Sequence, residues 1–146
     1  MSHEIVVCVD TSAASRRAVE FACALARSGT GGSSVLLCHV IPWSPFSFTT
    51  AEENEHRHRR RDAEVEAASE QVMRPLVELA TAGGVRADQL VRHGDPMDAL
   101  IDVAETEKAR LLVVGRTGDS GLRGRVFGTL AGQLVQNSPV PVTVVP

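Results

Sequence analysis

The chain contains few aromatic residues, few cysteines and no long apolar segment. Its 146 residues include no tyrosine, one tryptophan and four phenylalanines. The three cysteines include no C-x-x-C pair, and their odd number argues against a disulfide framework or a zinc site. No apolar run approaches the roughly 20 residues of a transmembrane helix. We therefore expect no membrane span, and we expect the cysteines to be small buried hydrophobic residues.

Net charge and the first residues give further expectations about the class of protein. The chain carries 15 basic and 18 acidic side chains, a net charge of −3, so it has no general attraction to nucleic acid or to a membrane surface. It reads Met1-Ser2-His3-Glu4 before the first apolar run, without the basic and apolar regions of a signal peptide. We expect a cytoplasmic protein with neither a nucleic-acid nor a membrane partner. The length predicts one domain over residues 1–146.

Continuous apolar runs alternate with helical patterns along the chain. Such runs are typical of strands that are covered on both faces, and Asp95 followed by Pro96 is typical of a helix start. Strands that alternate with helices predict an α/β fold, a parallel sheet with helices on both faces. The predicted strands are about 5–9, 35–41, 89–92, 111–114 and 140–145, and the predicted helices lie between them.

The longest predicted helix, from about 52 to 81, is polar and contains a proline. Pro75 is expected to kink it, because the proline ring clashes with the preceding helical turn. Its basic segment, 56–61, has two interpretations. It is either a patch for phosphate or nucleic acid, or a solvated helix face, and the acidic residues around it favour the second.

A glycine-punctuated segment follows the fourth predicted strand and leads into a helix. It reads Gly115-Arg116-Thr117-Gly118, then nine residues, then Gly128-Thr129. Backbone N–H groups in such a loop and at the helix N-terminus can bind an anion. Glycine permits positive φ angles and the close approach of phosphate oxygens. The alternative is a strand–helix turn that needs glycine only for its geometry.

Charged residues of the same loop favour a polyphosphate ligand. Arg116, Arg123 and Arg125 outnumber the single acidic residue, Asp119. Each arginine has the alternative interpretation of a solvated loop residue.

Catalytic motifs are absent from the sequence. The loop lacks the lysine and the hydroxyl residue of the G-x-x-x-x-G-K-[ST] NTPase motif. No Ser-His-Asp or Cys-His set can be assembled. We interpret His39 as a hydrogen-bonded residue at a strand end and His93, beside Gly94, as a turn residue. The residues therefore predict that the chain binds a polyphosphate ligand and hydrolyses it slowly or not at all.

Taken together, these motifs make the whole chain resemble the universal stress protein family. The glycine spacing is similar to the pattern of that family's ATP-binding branch. Positions 11, 110, 116 and 117 depart from residues common in the family, but no phosphate-cradling glycine is lost. The segments that carry the resemblance are Val7-Cys8-Val9-Asp10 with Ser12 and Arg16-Arg17-Ala18, His39-Val40, Gly94-Asp95-Pro96, Val113-Val114-Gly115, the G-x-x-G-(nine)-G-T loop and residues 138–145.

The resemblance implies a Rossmann-like sheet of five parallel strands in the order 3-2-1-4-5. It also implies that Asp10 and the backbone of Val40 hold adenine and ribose, and that the loop cradles the phosphates. The expected ligand is ATP, with or without Mg²⁺, and the expected function is an ATP-binding regulatory protein of the stress response. The expected nucleotide-binding residues are Asp10, Thr11, Ser12, Val40, Gly115, Arg116, Thr117, Gly118, Arg125, Gly128 and Thr129; no catalytic or metal-binding residue is assigned.

Two alternative functions stay open, a dimeric interaction protein that binds no nucleotide and a weak ATPase. The last predicted strand, 140–145, is rich in valine, and Pro141 suits an edge strand because it cannot donate to a ladder. An uncovered edge of this kind is an aggregation hazard. The resemblance implies a homodimer, and we expect it to form through residues 140–145.

Overall fold

Five strands alternate with helices, as the apolar runs predict. The computed structural model describes residues 3–29, 34–42, 51–117 and 129–146. The strands are β1 (Ile5–Cys8), β2 (Val35–Ile41), β3 (Ala87–His93), β4 (Leu111–Gly115) and β5 (Val142–Val145). The helices are α1 (Ala13–Ser28), α2 (Ala51–Ala68), α3 (Arg74–Ala82), α4 (Pro96–Glu107) and α5 (Thr129–Asn137), and a π-helical segment, Ser69–Met73, joins α2 to α3.

All strand pairs in the sheet are parallel, and the strand order is β3-β2-β1-β4-β5. This confirms the predicted order 3-2-1-4-5. The central strand β1 places Val7 opposite Leu37 of β2 and opposite Val113 of β4. Its run of apolar residues follows from this position, because both faces of a central parallel strand are covered.

Helices cover both faces of the sheet. Alternate side chains of the strands pack against α1, the π-helical segment and α3 on one face, and against α4 and α5 on the other. The buried side of α1 is built largely from alanine, which lets this helix lie close to the sheet. These alanines are Ala14, Ala18, Ala22 and Ala26.

The expected start of the last strand is wrong by two residues. The strand begins at Val142, whereas residues 140 and 141 precede it. The hydroxyl of Ser138 accepts a hydrogen bond from the N–H of Val140 and donates one to its carbonyl, so Val140 is bound locally outside the ladder. Pro141 still contributes its carbonyl, which accepts from the N–H of Leu112 on β4.

The proline in the long helix is accommodated by a change of helical pitch. The N–H of Arg74 bonds to the carbonyl of Ser69, five residues earlier, in place of the usual four. Pro75 has no N–H to donate and its ring crowds the carbonyl four residues before it. A π-helical turn just before Pro75 widens the backbone there, and helical structure continues from 51 to 82.

The basic segment of α2 is exposed at positions 56, 58, 59 and 60. This agrees with the interpretation of a solvated helix face.

Candidate functional site

The carboxyl ends of β1 and β4 lie side by side in the middle of the sheet. The helix that follows β1, α1, packs on one face, and the helix that follows β4, α5, packs on the other. In a doubly wound sheet this divergence opens a crevice above the strand ends, where ligands bind. The β1–β4 ladder ends at the pair Cys8–Val114. Asp10 and Gly115 therefore stand at the mouth of this crevice.

Asp10 is held by the first residues of α1. Its Oδ1 accepts hydrogen bonds from the N–H of Ser12, at 2.8 Å, and from the hydroxyl of Ser15, at 2.7 Å. Ser12 is the N-cap of α1, and its Oγ accepts from the N–H of Ser15 at 3.2 Å. The intervening Thr11 is exposed. The Asp10 carboxylate thus has a defined orientation at a half-buried position in the crevice.

The next strand, β2, presents the backbone of Val40 to the same crevice. The N–H of Val9 donates to the carbonyl of Cys38. Backbone groups alternate in direction along a strand, so the N–H and C=O of Val40 point the same way as those of Cys38, past the last paired residue of β1. Nδ1 of His39 donates to the carbonyl of Val9 at 2.7 Å, which confirms the interpretation of His39 as a bonded strand-end residue.

Close packing against α1 explains the glycine at position 115. A Cβ added to Gly115 would lie 2.8 Å from Cβ and 3.2 Å from the carbonyl carbon of Ala14. Among the glycines that the structure describes, those with positive φ are Gly84 and Gly94. The expectation that Gly115 supplies a turn of positive φ is therefore wrong. Its contact with phosphate stays a prediction.

The structure describes the glycine loop from Gly115 to Thr117 and again at Thr129. The N–H of Arg116 donates to the carbonyl of Val145 at 2.7 Å, and the side chains of Arg116 and Thr117 are exposed. Thr129 is the first residue of α5. Gly118, Asp119, Arg123, Arg125 and Gly128 lie outside the described residues, as does Trp43, and their roles stay predictions.

The structure therefore brings together Asp10, Ser12, the backbone of Val40 and Gly115. Sequence reasoning missed two residues that build this site, Ser15 and Ala14. Ser15 had one visible signal, because it lies three residues after the N-cap serine on the side of the helix that also carries buried alanines.

Two histidines contact carboxylate groups outside this crevice. His93 is the last residue of β3, and its Nε2 lies 3.0 Å from Oε2 of Glu64 on α2, so the expectation of a turn residue is wrong. At the opposite end of the strands, just before β1, His3 bridges two carboxylates. Its Nδ1 lies 2.8 Å from Glu107 Oε2 and its Nε2 lies 2.7 Å from Asp88 Oδ2.

The His3 bridge shifts the pKa of each of its members. Burial lowers the pKa of His3, but the hydrogen bonds to Asp88 and Glu107 together outweigh it and raise that pKa above its ordinary value of 6.5. The hydrogen bond from His3 holds the pKa of both carboxyl groups below their ordinary values. The protonated imidazole, which can donate from both nitrogens, is the form that suits this geometry.

All three cysteines are free thiols, and Cys23 and Cys38 are buried. Burial raises the pKa of Cys38 to about 12 and also raises the pKa of Cys8. Cys23 and Cys38 are therefore the small buried residues that the sequence predicts, whereas Cys8 is half-buried. Within the described ranges, no group of three or more His, Cys, Asp or Glu side chains is placed to hold a metal ion. No helix of the described chain is long and apolar enough to cross a membrane.

Both the sequence and the fold of this chain are similar to those of known proteins. Residues 1–146 match the sequence model of the Universal stress protein family. A universal stress protein of Methanocaldococcus jannaschii is 27% identical over 142 residues, which cover 97% of this chain and 81% of that protein.

Solved structures of universal stress proteins share the fold. One from Archaeoglobus fulgidus, in complex with dAMP, is 23% identical with a TM-score of 0.71, and the match covers 99% of this chain and 98% of that one. Another, in complex with cAMP, is 25% identical with a TM-score of 0.67 and coverages of 100% and 98%.

Proposed function

The chain belongs to the universal stress protein family, and from that premise we propose that it is an ATP-binding regulatory protein with slow or no ATP hydrolysis. One observation carries the proposal. The oriented carboxylate of Asp10, the outward backbone of Val40 and the start of the glycine loop converge on one crevice at the strand ends. An acceptor for ribose and a polar backbone for the base lie beside a loop suited to phosphate.

Each part of this crevice matches one part of an adenine nucleotide. Ribose hydroxyls donate hydrogen bonds, and the Asp10 carboxylate accepts them. Adenine carries an amino donor and ring-nitrogen acceptors, which suit the C=O and N–H of Val40. Phosphate groups then fall toward the glycine loop and the N-terminus of α5, where backbone N–H groups and the helix dipole favour negative charge.

The ligands of related structures support an adenine nucleotide. The A. fulgidus protein was solved with dAMP, and a further universal stress protein with cAMP. Both ligands contain adenine, and each keeps one free ribose hydroxyl, the 3′ group in dAMP and the 2′ group in cAMP. Slow or no hydrolysis follows from the missing lysine and hydroxyl residue of the NTPase loop motif.

Titration calorimetry with ATP tests the proposal. We expect a dissociation constant in the micromolar range, about −8 kcal/mol, and an Asp10→Asn variant that binds at least about tenfold more weakly. Asp62→Asn, on the exposed surface of α2, is the matched control and should bind as the unchanged protein does. Absence of both heat and thermal shift with ATP, with or without Mg²⁺, would refute nucleotide binding.

The purified protein also allows a simple optical test. With one tryptophan and no tyrosine it absorbs weakly near 280 nm. Co-purified adenine nucleotide would therefore dominate the ultraviolet spectrum, and mass spectrometry of the denatured supernatant would identify it.

Within the described residues β5 pairs with β4 alone, and its outer edge supports the homodimer that we include in the proposal. The carbonyl of Pro141 accepts a hydrogen bond from Leu112 of β4, and that of Val145 accepts one from Arg116, directly after β4. By the alternation of the ladder, the N–H and C=O groups of Val142 and Val144 point away from β4, toward the edge. A second copy running antiparallel about a two-fold axis at Thr143 would pair with these groups.

Apolar side chains border this edge on both faces of the sheet. Phe21 and Leu25, one turn apart on α1, are 39% and 36% exposed, and Val135 on α5 is 61% exposed. Arg17, one turn before Phe21, donates to the carbonyl of Pro146 after β5, so this side of α1 faces the β5 edge. The right-handed turn of α5 sets Val135 on its β5 side. Exposed apolar side chains on both sides of an edge strand favour a dimer that covers them.

Light scattering tests the dimer. The wild-type protein should be a dimer at micromolar concentration, and Val142→Lys with Val144→Lys should yield monomers or insoluble protein. Gln89→Lys, on the exposed side of the opposite edge strand β3, is the matched control and should leave the dimer intact. A monomeric wild type, or a dimer that survives the double substitution, would place any interface elsewhere.

A further inference from the structure

Ser15 is a buried polar residue in a helix face built from alanine. Among the residues that the structure describes, the buried polar side chains are His3 and Ser15, and Ser15 is only 4% exposed. Alanine has the higher helix propensity and would suit this apolar position. A buried hydroxyl is therefore best understood through its partners, because it must be hydrogen-bonded to offset its desolvation.

Most bonds of the Ser15 hydroxyl lead to Asp10. It donates to Oδ1 of Asp10 at 2.7 Å and accepts from the N–H of Asp10 at 2.8 Å. The hydroxyl of Ser12 supplies a third, longer contact at 3.3 Å. One hydroxyl has one donor and two acceptor positions, so these contacts use its full capacity.

These bonds have two consequences for the crevice. First, the two donors on Oδ1, from Ser12 and Ser15, hold the plane of the carboxylate in one orientation. Second, the amide of Asp10 leaves the sheet. The carbonyl of Glu4 accepts from Leu111, so by alternation the N–H of Asp10 would continue the ladder toward β4. Its bond to Ser15 ends that ladder and separates the two strands at the crevice.

We propose that Ser15 is a positioning residue that orients the Asp10 carboxylate toward the ribose hydroxyls of a bound nucleotide. The inference rests on the proposed nucleotide binding. A carboxylate that is already oriented loses less freedom when it accepts a ribose hydroxyl, and pre-organisation of this kind increases affinity. Without the Ser15 hydroxyl, the N–H of Asp10 loses this acceptor and the carboxylate loses one of the donors that orient it.

The test compares ATP with 2′,3′-dideoxy-ATP, which lacks both ribose hydroxyls. We expect calorimetry on the wild-type protein to show about tenfold tighter binding of ATP, as expected for one charge-assisted hydrogen bond. In Ser15→Ala the affinity for ATP should fall nearly to that for the dideoxy compound, so the ratio approaches one. Ser28→Ala is the matched control, since the exposed Ser28 hydroxyl donates to the carbonyl of Leu25 at the other end of the same helix.

The ratio separates a positioning role from a purely structural one. If Ser15 only stabilised α1, both affinities would fall together and the ratio would stay at its wild-type value, which would overturn the inference. Ser15→Cys, with similar size and a weaker donor, gives an intermediate ratio and serves if the alanine variant fails to fold.

The two proposals fail in different ways. A wild-type protein that binds both nucleotides equally overturns the role of Ser15 and leaves nucleotide binding in place. A wild-type protein that binds neither overturns the proposed function, and this inference with it.

Discussion

Replacement of Gly115 by alanine tests why this position is glycine. The added Cβ would lie 2.8 Å from Cβ of Ala14 and 3.3 Å from its carbonyl oxygen. Ordinary contacts between carbon atoms are about 3.5–4.0 Å, so α1 must move away from β4 by about 0.7 Å or more. Overpacking of this size costs about 1–3 kcal/mol, which corresponds to a decrease in melting temperature of about 2–12 °C. Thermal and urea denaturation measure it.

Two further variants isolate the contact. Gly83→Ala meets an equally close neighbour, Nη1 of Arg27 at 2.7 Å, but that atom ends a flexible side chain and can move, so we expect little loss of stability. Ala14→Gly removes one partner of the Gly115 contact. The double variant Ala14→Gly with Gly115→Ala should then be more stable than the sum of the single effects predicts, by about 1 kcal/mol. Additive effects, or a Gly115→Ala protein as stable as wild type, would refute the packing explanation.

Three other predictions concern the loop, the His3 bridge and the tryptophan. Gly128→Ala should weaken ATP binding at least about tenfold, because a Cβ there opposes both the turn and the approach of phosphate; an unchanged affinity would mean that the loop does not contact phosphate. The pKa of His3 is raised above 6.5, so the stability lost in His3→Gln should be greatest below pH 6.5 and should shrink as pH rises through the folded-state pKa. It should also shrink in acid, as Glu107 and Asp88, with ordinary values of 4.5 and 3.8, become protonated; a loss independent of pH contradicts the bridge. Trp43 fluorescence should change when ATP binds, and an identical spectrum in the bound complex would show that Trp43 is remote from the base.

Local patterns made most of the fold predictable. Apolar runs identified β1, β2, β4 and β5, since a parallel strand covered on both faces must be apolar along its length. The edge strand β3 is more polar, and the predicted strand, 89–92, covers only part of it. The start of α4 was equally readable. Asp95 caps the helix by accepting from the N–H of Asp98, and Pro96 takes the first helical position. Boundaries were less predictable where a side chain captured the backbone, as Ser138 does at Val140.

The candidate site was only partly predictable. Asp10, Val40 and Gly115 could be named because each follows or ends an apolar strand run and the family resemblance assigned them roles. Helix α1 was harder, since its apolar period includes Phe21 and Leu25, which are exposed, and omits Ser15, which is buried. Periodicity reports which residues share a helix face. It does not report which face meets the sheet when small residues such as alanine allow the closest contact.

The sequence by itself determined the alternation of strands and helices, the helix starts and the residues at the strand ends, since these depend on neighbours within a few positions. Only the tertiary structure decided what holds the site together. Position 115 on β4 is glycine because Ala14 of α1 packs too closely for a Cβ there. The hydroxyl of Ser15, also on α1, orients the Asp10 carboxylate. His3 meets partners 85 and 104 residues away. Such contacts depend on how the helices and strands pack, and the local sequence around each residue does not indicate which distant residue it will meet.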